Sequence, residues 1–401
     1  MKRIWWWLDA RLSLSQYWRQ HFTEYYVPKN LNVLYIFGAL ALFVLLNQLG
    51  TGIWLTMFYI PTPEQAYDSI QNIMRNVNFG WLLRYLHTTG ASAFFIVIYL
   101  HLFRGLVYGS YKAPREIVWI LGMILYILLL AIAFLGYLLP WGQMSYWGAE
   151  VFTSLLGSIP YLGDSLMLWV RGDYSISGIT LQRFFALHVI ALPLCVFLFT
   201  ALHIVALRKV GANNPEGFHI QKPEETIPEN YIPFFPYYFI KDLLGLIGFL
   251  LLFSLVVFFM PNMGGYFLEA NNYIPANSLI TPNEIKPMWY VAPYYAMLRA
   301  IPDKVMGLLL TGCAFAFLFI LPWLDQSPVR SMRYKGVYSR TMLAVFVSSF
   351  ILLGYCGLKP LNEINLWFSR IALLGYFSYF LMMPWYTRRE TCRPIPCEAD
   401  S

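Results

Sequence analysis

A chain of 401 residues that is 58% hydrophobic, 18% aromatic and only 12% charged lies far from the balance of a water-soluble globular protein, so lipid is the simplest solvent for it. Its net charge of +7 is spread over many short segments and forms no compact basic patch, which excludes a nucleic-acid reader. The five cysteines, Cys195, Cys313, Cys356, Cys392 and Cys397, make no CxxCH and no paired CxxC, which excludes covalent haem attachment and a cysteine-rich metal cluster.

The N-terminus carries Trp5, Trp6 and Trp7 among charged residues. It lacks the apolar core and cleavage site of a secretory signal, reads as an interfacial helix, and is expected to stay in the mature protein. Eight apolar stretches follow at roughly 33–56, 85–107, 117–138, 183–207, 243–260, 305–324, 341–358 and 366–385. Each suits a bilayer core, which takes about 20 helical residues to cross. They are called spans A to H, and the expected fold is an all-α integral membrane protein whose first four spans form a four-helix bundle. With eight spans both ends share one side, and 19 of the 28 Lys and Arg fall there. Retention of positive charge during insertion makes that side, with both termini, cytoplasmic.

Three regions are expected: an N-terminal bundle over 1–207, a polar cytoplasmic connector over 208–241 containing NNPEG and KPEET, and a four-span region over 242–401. All six histidines precede span E, so any redox chemistry belongs to spans A to D. Two outer loops stand out. The one after span C reads as a pair of short amphipathic helices. The one from Pro261 to Lys304 is rich in Pro, Asn and Tyr around TPNEIKPMWY. Irregular backbone near membrane depth is tolerated only when buried in protein or lining a cavity, so a binding pocket is expected beneath these loops.

Span B holds His87 and His101, fourteen residues apart; span D holds His188 and His203, fifteen apart. At about 100° per residue the first pair falls roughly 40° short of four turns and the second overshoots by about 60°, with rises of about 21 and 22 Å. Each helix therefore presents one histidine near each membrane surface. Spans B and D run in the same direction, which pairs His87 with His188 and His101 with His203. Two imidazoles on facing helices make a six-coordinate haem iron suited to electron transfer. One intramembrane histidine is more simply a packed or hydrogen-bonded residue; four at matched spacing reverse that. Gly38 and Gly52 in span A, and Gly122 and Gly136 in span C, repeat the fourteen-residue interval. Missing side chains at those levels let a flat macrocycle approach the backbone, although glycine also mediates helix packing in membranes. Arg84, Arg104 and Arg183 lie near the histidines or at span ends and are candidate partners for haem propionates; interfacial snorkelling is the alternative.

These residues sit in longer strings, RYLHTTGASAFFIVIYLHLFRGLVYGSY, GYLLPWGQMSYWGAEV, LQRFFALHVI, NNPEG, FFPYYFIKDLLG, TPNEIKPMWY and LRAIPDKVMG. With them the chain resembles, end to end, the cytochrome b subunit of the quinol:cytochrome c oxidoreductase, respiratory complex III. The resemblance implies a Q-cycle enzyme with two non-covalent b-type haems and ubiquinone as substrate. Quinol would be oxidised outside, beside a low-potential haem held by His87 and His188, its electrons divided between that haem and a Rieske iron–sulfur protein. Quinone would be reduced inside, beside a high-potential haem held by His101 and His203. It also implies a membrane-anchored c-type cytochrome as partner and a homodimeric complex. The family's outer-site motifs fall on Trp147 and Gly148 and on Pro287, Trp289 and Tyr290; its inner-site motif falls on Lys241 and Asp242. An acid at position 242 suits proton delivery to quinone, and a helix N-terminal acid favoured by the dipole is the other reading.

The sequence departs from the family in three places. Met288 stands where the family has Glu in its PEWY string. Glu150, in WGAEV, is the expected replacement carboxylate, against a solvated loop acid; Glu284 lies four residues before Met288. Arg208 stands where the inner site often has His, leaving proton delivery to Asp242 with water or His219. The fifteen-residue interval in span D exceeds the family's common fourteen, and Pro193, which removes a helix hydrogen bond, is expected to absorb the extra residue. Such departures point to a bacterial protein in the inner membrane. The rival readings are a cofactor-free proton or solute carrier with a histidine and carboxylate relay, and a dihaem anchor that passes electrons to one quinone site. A relay does not require matched spacing, and the PMWY loop argues against the anchor.

Overall fold

The computed structural model of the chain describes residues 2–217 and 230–395. His219, Lys222, the KPEET string and Cys397 lie outside the described residues. Span A is a helix over Phe37–Thr56 preceded by a tight turn over Val33–Tyr35, B runs over Gly80–Tyr108 and C over Glu116–Leu138. D extends from Gly178 to Val210 as two α-helices joined by a π turn at Leu187–Ala191. E is Phe239–Phe259, F Lys304–Leu324 and G Val337–Gly357. Among the described residues, seven helices are long and apolar enough to cross a membrane unbroken. The eighth, H, is bent: Glu363–Leu381 turns by 55° into Met383–Arg389. Pro384 lies just inside the second piece, where it has no amide hydrogen to continue the first helix's bonding.

Several boundaries differ from the sequence reading. B begins five residues earlier and places Arg84 in its second turn. E begins four residues earlier, so Lys241, expected at the connector's end, and Asp242 both occupy its first turn. In D, the Leu192 amide donates to the Leu187 carbonyl, five residues back. A π turn is an α-helix with one residue inserted. The fifteen residues between His188 and His203 therefore cover the same four turns as the fourteen in B. The turn sits directly before Pro193, the residue expected to absorb the surplus.

A packs along B and C along D, and the two pairs face each other across a histidine-lined seam. Side chains tie A to B at the outer level, where Asn47 Nδ2 donates to the Leu86 carbonyl (3.0 Å) and Gln48 Nε2 to the His87 carbonyl (2.9 Å). Gly90 makes room for them, since a Cβ there would stand 2.2 Å from Gln48 Oε1. In the second half G packs on H, and a short helix over Ala292–Ala300 wedges between F, G and H. Tyr126 in C meets Tyr294 of that helix, hydroxyl to hydroxyl at 2.8 Å, and Trp119 Nε1 donates to the Leu318 carbonyl of F (2.7 Å), so the halves share one core. The N-terminal helices Lys2–Leu12 and Leu14–Trp18 bury no residue and leave the three tryptophans exposed, as an interfacial segment would. Strand β1 (Tyr26–Pro28) pairs antiparallel with β2 (Tyr231–Pro233), Val27 opposite Ile232, and ties that segment to the start of E.

Helices Gln143–Leu156 and Gly163–Arg171 form the expected pair after span C. The second outer loop is zipped to them. Gln143 N donates to the Ile274 carbonyl (2.9 Å), Ala276 N to the Trp141 carbonyl (3.0 Å) and Asn277 N to Gln143 Oε1 (2.7 Å), while Asn272 Oδ1 accepts from Ser145 N (2.8 Å). Gly142 is required there, because a Cβ would lie 2.6 Å from Asn272 Oδ1.

Candidate redox site

The bundle brings the histidines together in the expected pairs. The rings of His87 and His188 are centred 6.2 Å apart at 82°, and those of His101 and His203 6.4 Å apart at 63°. An imidazole nitrogen sits about 2 Å from a first-row transition metal and its ring centre about 1.1 Å further, so two axial imidazoles hold their centres about 6 Å apart. Both pairs match. Among the described residues no three His, Cys, Asp or Glu converge as a metal site. Two nitrogens per level suit an iron whose equatorial ligands come with it.

The glycines sit at these levels in a specific way. A Cβ on Gly52 would lie 3.1 Å from His87 Cε1, on Gly136 2.3 Å from His188, on Gly122 3.4 Å from His203 and on Gly38 3.5 Å from His101. What each glycine admits is therefore the edge of a histidine ring against the neighbouring backbone. His188 Nδ1 donates to the carbonyl of Ile132, four residues before Gly136, at 2.7 Å. Gln48 stands four residues before Gly52 and its carbonyl faces His87; Val118 stands four before Gly122 and its carbonyl faces His203. Thr51 Oγ1 donates to the Asn47 carbonyl (2.6 Å), so at 3.0 Å from His87 Nδ1 it acts as acceptor. At His87 and His188 these contacts put the proton on Nδ1 and leave Nε2 as the free nitrogen, the tautomer that a metal ligand needs. The Nδ1 atoms of His101 and His203 are buried without a hydrogen-bond partner among the described residues.

The three arginines differ. Arg84 is buried at the outer end near Tyr67, Tyr85 and Tyr273, with no ion pair among the described residues. Arg104 lies over the Tyr35 ring at 4.8 Å and donates to Ser110 Oγ at 3.1 Å, while its Nε is buried and unpartnered. Both fit an anionic group brought by a cofactor. Arg183 is exposed and its guanidinium is bound by the Trp169 carbonyl in the outer loop, a position that favours a loop-fastening role.

At the outer end Tyr290 is buried and stacked on Phe95 (centroids 3.8 Å), and its carbonyl accepts from Tyr99 Oη at 2.5 Å. Trp289 Nε1 donates to Ser92 Oγ (3.1 Å), which fixes the PMWY turn on span B, with Pro287 leading into it and Met288 packed on the core. Trp147 Nε1 donates to the Asn277 carbonyl (3.2 Å), and Gly148 faces the ring of Tyr137 at 3.6 Å. A cavity of about 680 Å³ is lined by Trp141, Tyr146, Trp147, Glu150, Ile176 and Ala276. Glu150 pairs with buried Arg171 at 2.8 Å. A second cavity of about 1200 Å³ shares the Ala276 and Ser278 wall and is lined by Glu269, Glu284 and Lys286. Glu284 pairs with Lys286 at 2.7 Å on the exposed side. Glu269 was not singled out in the sequence. It accepts from Tyr137 Oη at 2.7 Å and from Asn272 Nδ2 at 3.4 Å, and burial pushes its carboxyl up to about 7.

At the inner end Tyr238 lies within the field of both Asp242 and Arg104, which gathers His101, Arg104 and Asp242 into one neighbourhood. Lys241 is exposed beside them. Arg208 donates to the His21 carbonyl at 3.0 Å, meets His21 Nδ1 at 3.2 Å, and lies 4.8 Å from the Tyr25 ring centre. The N-terminal segment thus brings an imidazole to Arg208, the residue that stands where the inner site often has His. The 187 residues between the two hid it from sequence reasoning.

Comparison with known proteins agrees with this geometry. The family model for cytochrome b/b6/petB matches residues 22–211, and that for the C-terminal part of cytochrome b, b6/petD, matches 275–377. Cytochrome b of Allochromatium vinosum is 49% identical over 400 residues, covering 97% of this chain and 96% of that protein. Cytochrome b of Rickettsia bellii is 46% identical, covering 98% and 96%. A solved structure described as a hyperthermophilic respiratory complex III superposes with a TM-score of 0.90 at 36% identity, covering 96% of this chain and 98% of that one. The chain belongs to the cytochrome b family, of the respiratory complex III type.

Proposed function

We propose that the chain is the dihaem cytochrome b of a Q-cycle quinol:cytochrome c oxidoreductase, in which His87 and His188 would hold an outer low-potential haem and His101 and His203 an inner high-potential haem. The observation that carries the reading is the pair of facing imidazoles at each level, 6.2 and 6.4 Å apart. Two bound b-type haems would supply one-electron carriage between the membrane faces. The chain's own residues do the rest. Thr51 and the Gln48, Val118 and Ile132 carbonyls orient the imidazoles; Arg84 and Arg104 meet the propionates, with Arg183 fastening the loop above. Trp147, Gly148, Glu150, Pro287, Trp289 and Tyr290 line the outer quinol site. Lys241 and Asp242, with His21 nearby, serve the inner quinone site, where an interfacial carboxylate reloads its proton from water.

Partners in this reading are a Rieske iron–sulfur protein, a membrane-anchored c-type cytochrome and a second copy of the complex, in a bacterial inner membrane with both termini cytoplasmic. Purified complex should reduce a c-type cytochrome with ubiquinol and release protons on the outer side when reconstituted in vesicles. Failure of ubiquinol to reduce the acceptor, with both haems present, would sink the reading.

A further inference from the structure

One carboxylate is built into the outer site with no cation to hold it among the described residues. Glu269 lies in the second outer loop, where Tyr137 Oη of span C and Asn272 Nδ2 donate to its carboxylate. Tyr290 of the PMWY turn lies in its field, and two residues before it Phe267 packs on the Trp289 ring (centroids 6.5 Å, 29°). Gly148 closes over Tyr137 from the helix after span C. Glu269 is therefore hydrogen-bonded to Tyr137 of span C and lies within the field of Tyr290, while the other two acids are held by cations. Glu150 is already paired with Arg171, and Glu284 with Lys286. Its other side lines the open cavity of about 1200 Å³ between the outer loops. The titratable groups that face it are Tyr137 and Tyr290, and Glu284 and Lys286 line the same cavity.

We propose that Glu269 is the proton acceptor of the outer quinol site, a reading that rests on quinol oxidation there. The two quinol O–H bonds break in succession; each proton forms a carboxyl O–H bond on Glu269 and passes on to water in the cavity before the next arrives. The two electrons would leave, one to the iron–sulfur protein and one to the outer haem, and quinone remains. Met288 offers no atom for this step, and a carboxylate held between buried tyrosines and an open cavity does. Burial pushes Glu269 up to about 7, so at neutral pH its carboxylate is available to accept a proton and its carboxyl can release one to water.

The test is Glu269→Gln in the complete complex, assayed for ubiquinol-dependent reduction of a c-type cytochrome from pH 5.5 to 9, with Glu150→Gln alongside. Wild-type turnover should rise with pH through about 7 as Glu269 ionises. Glu269→Gln should lose at least about tenfold in turnover at neutral pH together with that rising limb, with both haems intact in the difference spectrum. An unchanged rate and pH profile in Glu269→Gln, or loss of the limb in Glu150→Gln alone, overturns the assignment while wild-type turnover upholds the outer site. Should Glu269→Gln fail to assemble, Glu269→Asp decides: a displaced limb supports the assignment and an undisplaced one overturns it. Absence of ubiquinol turnover in the wild type would count against the proposed function instead.

Discussion

The two ends of the bundle are built from the same ladder but held by different chemistry. At the outer end the loops are joined by neutral hydrogen bonds, Gln143 with Ile274 and Asn277, Ser145 with Asn272, and a half-buried acid, Glu269, is pushed up to about 7 by burial. At the inner end full charges are buried. Asp325, just beyond span F, accepts from Tyr111 Oη (2.6 Å) and pairs with Lys112 (3.1 Å) and with Lys335, whose side chain is 1% exposed. Burial alone would raise the Asp325 carboxyl, but Lys335 and Lys112 hold it below its ordinary range. Lys112 and Lys335, part of the positive charge gathered at this end, thus also fasten the B–C and F–G connections. The outer end buries Arg84 and Arg171, but Glu269 there has no ion-pair partner among the described residues, and it is the carboxyl proposed to trade protons with quinol.

The largest expected effect breaks the inner fastening. Asp325→Asn leaves Lys335 buried without a counterion, which costs about 3–5 kcal/mol. Thermal inactivation of the purified complex should shift accordingly, and an unchanged midpoint would refute the buried-charge account. Because the folded carboxyl is depressed, this contribution is complete at neutral pH and fades only in acid, as pH falls through the depressed value.

Next, Gly136→Ala should displace His188, since its Cβ would stand 2.3 Å from the ring, and remove most of the outer haem signal. Gly38→Ala, at 3.5 Å from His101, should leave the inner signal nearly intact. Equal losses would show that the levels are not packed differently. The acid at the outer end gives a third contrast. A raised carboxyl favours the neutral form in the fold, so its contribution to stability is lost as pH rises from the ordinary carboxylate range through about 7. Glu269→Gln should flatten that slope in thermal inactivation measured from pH 4.5 to 8; an undiminished slope would assign it elsewhere. The smallest effect concerns ligand tuning. Thr51→Val removes an acceptor from His87 Nδ1, makes the imidazole less basic, and should raise the outer haem potential by on the order of 20–60 mV, leaving the inner one unmoved.

Much of this was legible in the sequence because helical periodicity is local. The intervals 87–101 and 188–203, and the glycines repeating them, fix both levels without knowledge of contacts. The surplus residue in span D and Pro193 foretold the distortion there, and the structure supplied its form, a π turn at His188. Other features depend on neighbours far apart in the chain. Glu269 looks like a loop acid until Tyr137, 132 residues earlier, is beside it, and His21 means nothing for the inner end until Arg208 reaches it. The helix Ala292–Ala300 is buried along most of its nine residues, so it shows no amphipathic stripe and reads as loop. The bend in span H follows from where Pro384 falls, a detail that an apolar count smooths over.

The central claim is two stacked sites, each held by one histidine from span B and one from span D. A reduced-minus-oxidised spectrum of the purified complex, titrated by potential, tests it most directly in wild type, His188→Leu and His203→Leu. The wild type should resolve two b-type components, His188→Leu should lose the lower-potential one and His203→Leu the higher. A single component in the wild type, or loss of the same component in both variants, would contradict the account.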